Sequence, residues 1–172
     1  MRRTIWVGYD SREWEAYEVA KRSAKAHARG DGVLVAPLML DHCRRVGAYR
    51  RPTEYRDGRS WDVISEAPMA TEFAISRFLV PHFAGSRGWA LFVDCDVMFR
   101  ADPHDLFDLA DERFAVMCVK HAHVPREETK MDGQVQLAYP RKNWSSVMLI
   151  NLGHSAVQNG LTVEAVNTLP GR

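Results

Sequence analysis

Residues 4–40 read TIWVGYDSREWEAYEVAKRSAKAHARGDGVLVAPLML, and this stretch decides the fold class. The apolar run at residues 4–9 is typical of a buried strand. Residues 12–28 have helical spacing, and Ser11 is the predicted N-cap of that helix. Residues 33–40 predict a second strand. Strand, helix and strand in this order predict a right-handed βαβ unit and therefore an α/β fold.

The rest of the chain continues this pattern. It predicts three more buried strands, at residues 89–93, 114–119 and 147–150. It predicts helices at residues 71–80, which Pro81 would end, and at 105–110 and 162–169, with a long polar loop over 120–143. We therefore expect one domain over residues 1–172, with a mixed, mostly parallel central sheet and helices on both faces.

Residues 41–62 break the pattern because they are rich in arginine, glycine and proline. We interpret them as a loop-rich excursion that is solvated and mobile, with an anionic acceptor site as the alternative. The six arginines are Arg44, Arg45, Arg50, Arg51, Arg56 and Arg59.

Bulk properties exclude several classes of protein. The net charge of the 172 residues is +1, which gives no indication of a nucleic-acid partner. No apolar run is long enough for a transmembrane segment or for a signal peptide, so the expected location is the cytoplasm. The cysteines Cys43, Cys95 and Cys118 are odd in number and form no CxxC motif, which predicts three free thiols.

The most informative segment is LFVDCDVM, residues 91–98, where an apolar strand runs into two carboxylates. Ligands of open α/β sheets bind at the carboxyl ends of strands. In an extended chain Asp94 and Asp96 would face one site while Cys95 faces the core. Neighbouring carboxylates repel unless a cation lies between them, and Mg²⁺ or Mn²⁺ suits such a pair together with phosphate oxygens. The pair predicts a metal-bound diphosphate substrate, and an Asp-rich turn without metal is the alternative.

Phosphatases of the haloacid dehalogenase type also place Asp-x-Asp after a buried strand. There the motif usually lies near the N-terminus, and the first Asp is a nucleophile. In this chain the pair follows two earlier strands and lies past the midpoint, which favours a different family. A phosphatase with Asp94 as nucleophile and Asp96 as acid/base stays open as the alternative.

Four stretches resemble nucleotide-sugar glycosyltransferases of the GT-A fold, especially family eight and its bacterial relatives. IWVGYDSREWEAYEVAKRSA (5–24) is similar to the family's first strand and helix, and ATEFAISRFLVP (70–81) to a helix whose basic residue faces the donor. WALFVDCDVMFRADPHDLFDL (89–109) resembles the metal motif, and NWSSVMLINL (143–152) a later strand. The resemblance implies a GT-A-like, Rossmann-like domain that transfers a hexose from a UDP-sugar with retention. It also implies a bacterial enzyme whose acceptor is a glycan, a lipid-linked glycan or a protein.

The resemblance assigns roles to individual residues. Asp94 and Asp96 would bind Mn²⁺ or Mg²⁺ and the donor diphosphate, Arg77 would contact the donor sugar or phosphate, and Asp10 would lie near the uracil or ribose. The catalytic residues would be Arg77, Asp94 and Asp96. The residues that bind the donor would be Val7, Gly8, Tyr9, Asp10, Arg77, Asp94, Cys95 and Asp96.

The chain also departs from the family pattern. Family members usually supply a third metal ligand, a histidine, near the C-terminus, whereas this sequence ends at Leu169-Pro170-Gly171-Arg172 without one. We therefore expect that the C-terminal part of the pattern is absent, as in a truncated chain. A non-catalytic module that binds a nucleotide sugar is consequently a further alternative.

Several polar residues after residue 120 are candidates for substrate contacts. His121 and His123 lie two residues apart after a predicted strand, an arrangement that suits a substrate contact as well as ordinary solvation. The remaining candidates combine polar groups with one aromatic ring, which suits a sugar, although a solvated loop explains them equally. They are Asp132, Gln134, Lys142, Trp144, Ser145 and Ser146.

Overall fold

The computed structural model of the chain describes residues 3–30, 32–120 and 144–171. The strands are β1 (Thr4–Gly8), β2 (Leu34–Leu38), β3 (Thr53–Arg56), β4 (Arg59–Asp62), β5 (Ala67–Pro68), β6 (Trp89–Val93), β7 (Val116–Cys118) and β8 (Val147–Asn151). The helices are α1 (Trp14–His27), α2 (Leu40–Arg45), α3 (Val80–Ala84), α4 (His104–Asp108), α5 (Ser155–Gly160) and α6 (Val163–Thr168). Three 3-10 turns cover Ser11–Glu13, Ser76–Leu79 and Trp144–Ser146.

A five-stranded sheet with the order β2-β1-β6-β8-β7 forms the centre of the fold. β1 pairs in parallel with β2 and β6, whereas β8 runs antiparallel to both β6 and β7. Four strands therefore share one direction, and the predicted mixed, mostly parallel sheet is confirmed. Because β8 runs the other way, its first residues lie at the edge where β1 and β6 end.

Side chains alternate between the two faces of β1, as the pleat of a strand requires. Ile5 and Val7 are fully buried on one face. Trp6 points to the other face and stacks against Phe83 of α3, with 6.0 Å between ring centroids. α1 packs against β1 and β2, and α3 packs against β6. The expected α/β arrangement with helices on both faces is confirmed.

Residues 41–62 form ordered structure, so the prediction of a loop-rich excursion is wrong. They contain α2 and the antiparallel pair β3–β4, which β5 extends to a second sheet of three strands. Asp57 and Gly58 connect β3 to β4 with positive φ values of 49° and 77°. This is the backbone that a two-residue hairpin turn requires, and Asp-Gly is a favoured sequence for it.

Two helix predictions also need correction. Residues 71–80 do not form one helix, because the 3-10 turn Ser76–Leu79 leads into α3, and Pro81 lies in the first turn of α3. Proline is tolerated there because the first amide of a helix has no partner within that helix. Ser11 is not the N-cap of α1: Asp10 caps the 3-10 turn that precedes α1 by accepting a hydrogen bond from the Arg12 amide, and the N-cap of α1 itself is Glu13. Among the described residues, no helix has the length and apolar character that crossing a membrane requires.

Candidate functional site

The site lies at the edge of the sheet where β1 and β6 end and β8 begins. Val93 at the end of β6 pairs with Val147 at the start of β8. Just beyond this pair, the Asp94 amide donates a hydrogen bond of 2.9 Å to the carbonyl of Ser146. The register of β6 and β8 therefore brings the carboxylate motif beside Trp144, Ser145 and Ser146.

Asp94 is held in an ion pair within the protein. Its Oδ1 lies 2.9 Å from Nη1 of Arg77, and only 19% of its side chain is exposed. Burial raises the pKa of Asp94, and the neighbouring charge of Asp96 adds to this, although Arg77 and a hydrogen bond with Ser146 oppose the rise. Burial therefore outweighs the stabilisation that the nearby cation, Arg77, gives to the ionised form of Asp94.

Arg77 supplies that cation from a buried position. Its guanidinium contacts the rings of both Phe73 and Phe92, 5.2 Å from each ring centroid. Nη1 donates to the carbonyl and hydroxyl oxygens of Ser145, at 3.0 and 3.2 Å, and Nε donates to the Phe73 carbonyl at 3.3 Å. The structure thus places Arg77 underneath Asp94, and its predicted contact with the donor remains a prediction.

Asp96 differs from Asp94 because it is exposed to solvent. The Val97 amide donates to the Asp94 carbonyl at 3.3 Å, so residues 94–97 form a turn. The expectation of an extended chain across both carboxylates is therefore wrong. Cys95 between them is 2% exposed, and its thiol donates to Glu13 Oε2 at 3.2 Å, which confirms that it faces the core. Burial, with a contribution from Glu13, raises the pKa of Cys95 to about 12.

Asp10 occupies the corresponding position after β1, but its carboxylate is enclosed. It accepts four hydrogen bonds, three from Arg12 (amide, Nε and Nη2, at 3.0, 2.9 and 2.7 Å) and one from the Glu72 amide at 3.1 Å. Burial alone would raise the pKa of Asp10, yet these donors outweigh it and hold the pKa below its usual value. The predicted contact of Asp10 with the uracil or ribose stays a prediction, while its observed role is to fix the turn after β1.

Arg12, Glu72 and Phe73 are part of this edge and were not predicted from the sequence. Arg12 covers Asp10, and its Nη2 also donates to the Ala70 carbonyl at 3.0 Å. Glu72 contacts the other end of the same turn by accepting a hydrogen bond from the Ser11 hydroxyl. The only sequence signal for Arg12 was its position two residues after Asp10. Nothing in the spacing pointed to Glu72 or Phe73.

The other predicted residues fall into two groups. Val7 and Gly8 are buried under the edge, and Tyr9 is half-buried against Tyr17 at a centroid distance of 5.4 Å. Trp144 lies 6.0 Å from the Lys120 ammonium. The remaining substrate candidates lie outside the described residues and are His121, His123, Asp132, Gln134 and Lys142.

The carboxylate oxygens at this edge are suitable ligands for a hard divalent cation. Carboxylate oxygens are the protein ligands that Mg²⁺ and Mn²⁺ prefer, and such ions use one or two carboxylates together with substrate phosphates. Within residues 3–30, 32–120 and 144–171, no group of three or more His, Cys, Asp or Glu side chains could enclose a metal ion.

Known proteins share this architecture. WbbM, a bifunctional glycosyltransferase, superimposes with a TM-score of 0.58 over 97% of this chain and 34% of its own, at 11% identity. The glycosyltransferase GlyE of Streptococcus pneumoniae TIGR4 gives a TM-score of 0.53 over 95% of this chain and 37% of its own, at 17% identity. The fold is that of glycosyltransferases. At these identities the likeness establishes the fold and not the reaction.

In sequence, the chain is similar to a plant protein. It is 43% identical over 167 residues to Protein CDI of Arabidopsis thaliana, which covers 97% of this chain and 59% of that protein. The chain therefore spans less than two thirds of the length of this relative. No protein-family model matches the chain. The plant relative gives the expected bacterial origin no support.

Proposed function

We propose that this chain forms the donor-binding part of a metal-dependent glycosyltransferase of the GT-A type that uses a nucleotide diphosphate sugar. The observation that carries the proposal is the position of Asp94 and Asp96 directly after the central strand β6, at the carboxyl edge of a glycosyltransferase fold. Likeness to family eight suggests UDP as the carrier, a hexose as the transferred group and retention at the anomeric carbon.

The metal would lie beside Asp96, within reach of the donor diphosphate. When bound, it supplies Lewis-acid charge that neutralises the departing diphosphate. The chain contributes the fixed geometry: the Asp94 amide is bonded to the carbonyl of Ser146, and the Val97 amide closes the turn that exposes Asp96. Asp96 therefore presents its carboxylate to solvent at a constant position relative to the sheet.

Electrostatics support a cation at this site. Burial raises the pKa of Asp94, repulsion between Asp94 and Asp96 adds to this rise, and a diphosphate brings further negative charge. Arg77 lies against Asp94, so one anionic carboxylate and the phosphates would remain without a counter-charge. A divalent cation at Asp96 balances these charges.

A non-catalytic module that binds a nucleotide sugar is the second candidate. It is favoured by the Arg77–Asp94 ion pair of 2.9 Å, because a carboxylate that already holds a guanidinium contributes less to a metal site. The same pair disfavours the phosphatase alternative, in which Asp94 would have to be a free nucleophile. Measured turnover of the donor separates an enzyme from a binding module.

The proposal is tested by thermal shift with UDP, GDP and their sugars, each with Mn²⁺ or with EDTA. A ligand at one hundred times its Kd stabilises the folded state by about 2.7 kcal/mol, which raises Tm by roughly 5–10 °C for a domain of this size. We expect one nucleotide to stabilise the chain only with Mn²⁺, and Asp96→Asn to abolish the shift. Asp57→Asn is the matched control, because it removes an exposed carboxylate from the β3–β4 turn and tolerates the positive φ there.

Metal-dependent binding would be contradicted if the nucleotide raised Tm equally in EDTA, or if it raised the Tm of the Asp96→Asn variant as much as that of the unmodified chain. Donor hydrolysis is measured on the same samples. Hydrolysis or transfer that depends on Asp96 supports the enzyme, and tight binding without turnover supports the module.

A further inference from the structure

We propose that Arg77 is a positioning residue, the built-in counter-ion of Asp94, and that this ion pair leaves Asp96 as the carboxylate that meets the metal. The assignment divides the roles of two carboxylates that the sequence treats as equivalent. It rests on the proposed function for the metal, whereas the ion pair itself is observed.

The guanidinium of Arg77 is fixed by its surroundings. The side chain is 10% exposed, and its guanidinium lies against two neighbouring aromatic rings. It donates hydrogen bonds to the carbonyls of Phe73 and Ser145 and forms an ion pair with Asp94. To reach a donor sugar, Arg77 would have to leave both rings and abandon these acceptors, which is costly for a buried charge. Arg77 is therefore built to hold Asp94.

Asp94 is fixed from the other side as well. Its amide is bonded to the carbonyl of Ser146, so the backbone beneath the carboxylate belongs to the β6–β8 pairing. Its Oδ1 is in contact with a guanidinium that carries a full positive charge. A divalent cation on the same oxygen would lie within a few ångströms of that charge, and like charges at this distance repel strongly in a poorly solvated site. The pair thus disfavours direct coordination by Asp94.

Asp96 lies under none of these constraints. Its side chain is exposed at the turn, and in the described ranges 3–30, 32–120 and 144–171 no hydrogen bond or ion pair holds it. A carboxylate in water can turn toward a cation at little cost in desolvation. A metal with several waters and two phosphate oxygens needs no more than one such carboxylate from the protein.

This division has a consequence for how the site is assembled. Because Arg77 neutralises Asp94 permanently, the edge folds with its geometry in place before any metal arrives. A metal bound together with the diphosphate would contact the chain through Asp96. Arg77 affects the reaction indirectly, because it holds the turn from which Asp96 projects.

Mn²⁺ binding to the chain, read by electron paramagnetic resonance with and without UDP, tests the division. We expect Asp96→Asn to remove saturable Mn²⁺ binding, whereas Asp94→Asn retains it with a loss in affinity of about 10–100-fold, as for residues that orient a ligand. Arg77→Lys keeps the positive charge and is expected to retain Mn²⁺ affinity. Arg100→Met is the control, because it removes an exposed arginine close to the same turn.

Thermal denaturation of Arg77→Met, Asp94→Asn and the double variant tests the ion pair without any ligand. Each single variant should lower Tm by about 6 °C or more, and the double variant by clearly less than the sum. Additive losses in Tm would overturn the pairing role of Arg77.

The outcomes separate this inference from the proposed function. If the unmodified chain binds Mn²⁺ with UDP and Asp94→Asn loses binding as completely as Asp96→Asn, the division of roles is overturned while the proposed function stands. If the unmodified chain binds no Mn²⁺ with any nucleotide, the proposed metal dependence falls and the assignment of Asp96 falls with it. Retention in Asp94→Asn, loss in Asp96→Asn and sub-additive Tm changes together support the inference.

Discussion

Arg51 and Asp62 form a two-point ion pair inside the protein, with Nε–Oδ1 and Nη2–Oδ2 distances of 2.8 and 2.5 Å. Neither side chain is more than 1% exposed. The remaining donors of Arg51 reach the carbonyls of Val166 and Leu169, at 2.6 and 2.7 Å, and the hydroxyl of Ser65 at 3.0 Å. The pair therefore joins the small sheet to the C-terminal helix α6.

Removal of Arg51 should destabilise the whole chain. Arg51→Met leaves Asp62 as a buried charge without its partner, which is expected to lower the free energy of unfolding by about 3–5 kcal/mol. Urea denaturation followed by circular dichroism measures this loss. Arg50→Met is the matched control: the exposed Arg50–Glu164 pair is also removed, yet its side chains are 53% and 72% exposed, so the loss should stay within about 1 kcal/mol. Equal losses in the two variants would contradict the structural role of the buried pair.

The enclosed carboxylate of Asp10 should make stability depend on pH in the acid range. Its pKa is held below the usual value in the folded state, because the hydrogen bonds from Arg12 and Glu72 outweigh the effect of burial. Protons therefore bind more tightly to the unfolded chain, so this contribution is complete above the unfolded pKa of about 3.9 and is lost as the pH falls through the lower folded value.

The comparison of Asp10→Asn with the unmodified chain measures this effect. The difference in Tm should be largest at neutral pH and should shrink as the pH is lowered below about 4, since protonation then removes the same charge from the unmodified chain. Arg50→Met, titrated in parallel, shows the effect of removing a charge that is not enclosed. A difference in Tm that stays constant from pH 7 to pH 3 would contradict a role for the ionised Asp10.

The strands at the centre of the fold could be predicted from the sequence because each is a short apolar run. The segments TIWVG (4–8) and WALFV (89–93) are strands as predicted, and the inward orientation of Cys95 follows from its place between two charged neighbours. Local patterning determines these features, and local patterning is what a sequence displays.

Contacts between distant residues could not be predicted in this way. Arg77 has the same chemistry whether it faces a ligand or pairs with Asp94, and only the packing of residues 71–79 against β6 decides between the two. The loop predicted for residues 41–62 is wrong for a similar reason. Arg51 in this segment is buried because it donates to the carbonyl of Val166 in α6, which lies far along the chain. The Asp57-Gly58 pair is a local sequence signal for a hairpin turn, but the arginine-rich composition of residues 41–62 favoured a loop instead.

The three thiols should be slow to react in the folded protein. None forms a disulfide, and burial raises the pKa of Cys43 to about 11 and of Cys95 to about 12, while burial also raises the pKa of Cys118. The reactive thiolate is therefore scarce at pH 8. Cys43 and Cys95 are also buried, so the reagent does not reach them in the folded protein. We expect iodoacetamide at pH 8 to modify Cys118 first, as peptide mass analysis would show. The same treatment in 6 M guanidinium should modify all three, and early labelling of Cys95 in the native chain would contradict its contact with Glu13.

Gly8 lies at the end of β1, where the ring of Phe73 approaches the backbone. A Cβ atom at Gly8 would lie 2.6 Å from two ring carbons of Phe73, closer than carbon atoms can pack. Gly8→Ala must therefore displace a ring that also lies against the guanidinium of Arg77. We expect a loss of about 1–3 kcal/mol in the free energy of unfolding, typical of an overpacked core.

Gly160 provides the matched control for this substitution, because a Cβ atom there meets no heavy atom within 4 Å. It lies in the last position of α5, where alanine is the better helix former, so Gly160→Ala should leave stability unchanged or raise it by up to about 1 kcal/mol. A double variant combines Gly8→Ala with Phe73→Leu, which removes the clashing ring carbons. Its stability relative to Phe73→Leu alone gives the cost of Gly8→Ala without the ring, and this cost should be smaller than in the unmodified chain. If Gly8→Ala is as stable as the unmodified chain, Phe73 can move freely, and the rigid support that this ring gives to Arg77 and Asp94 would not exist.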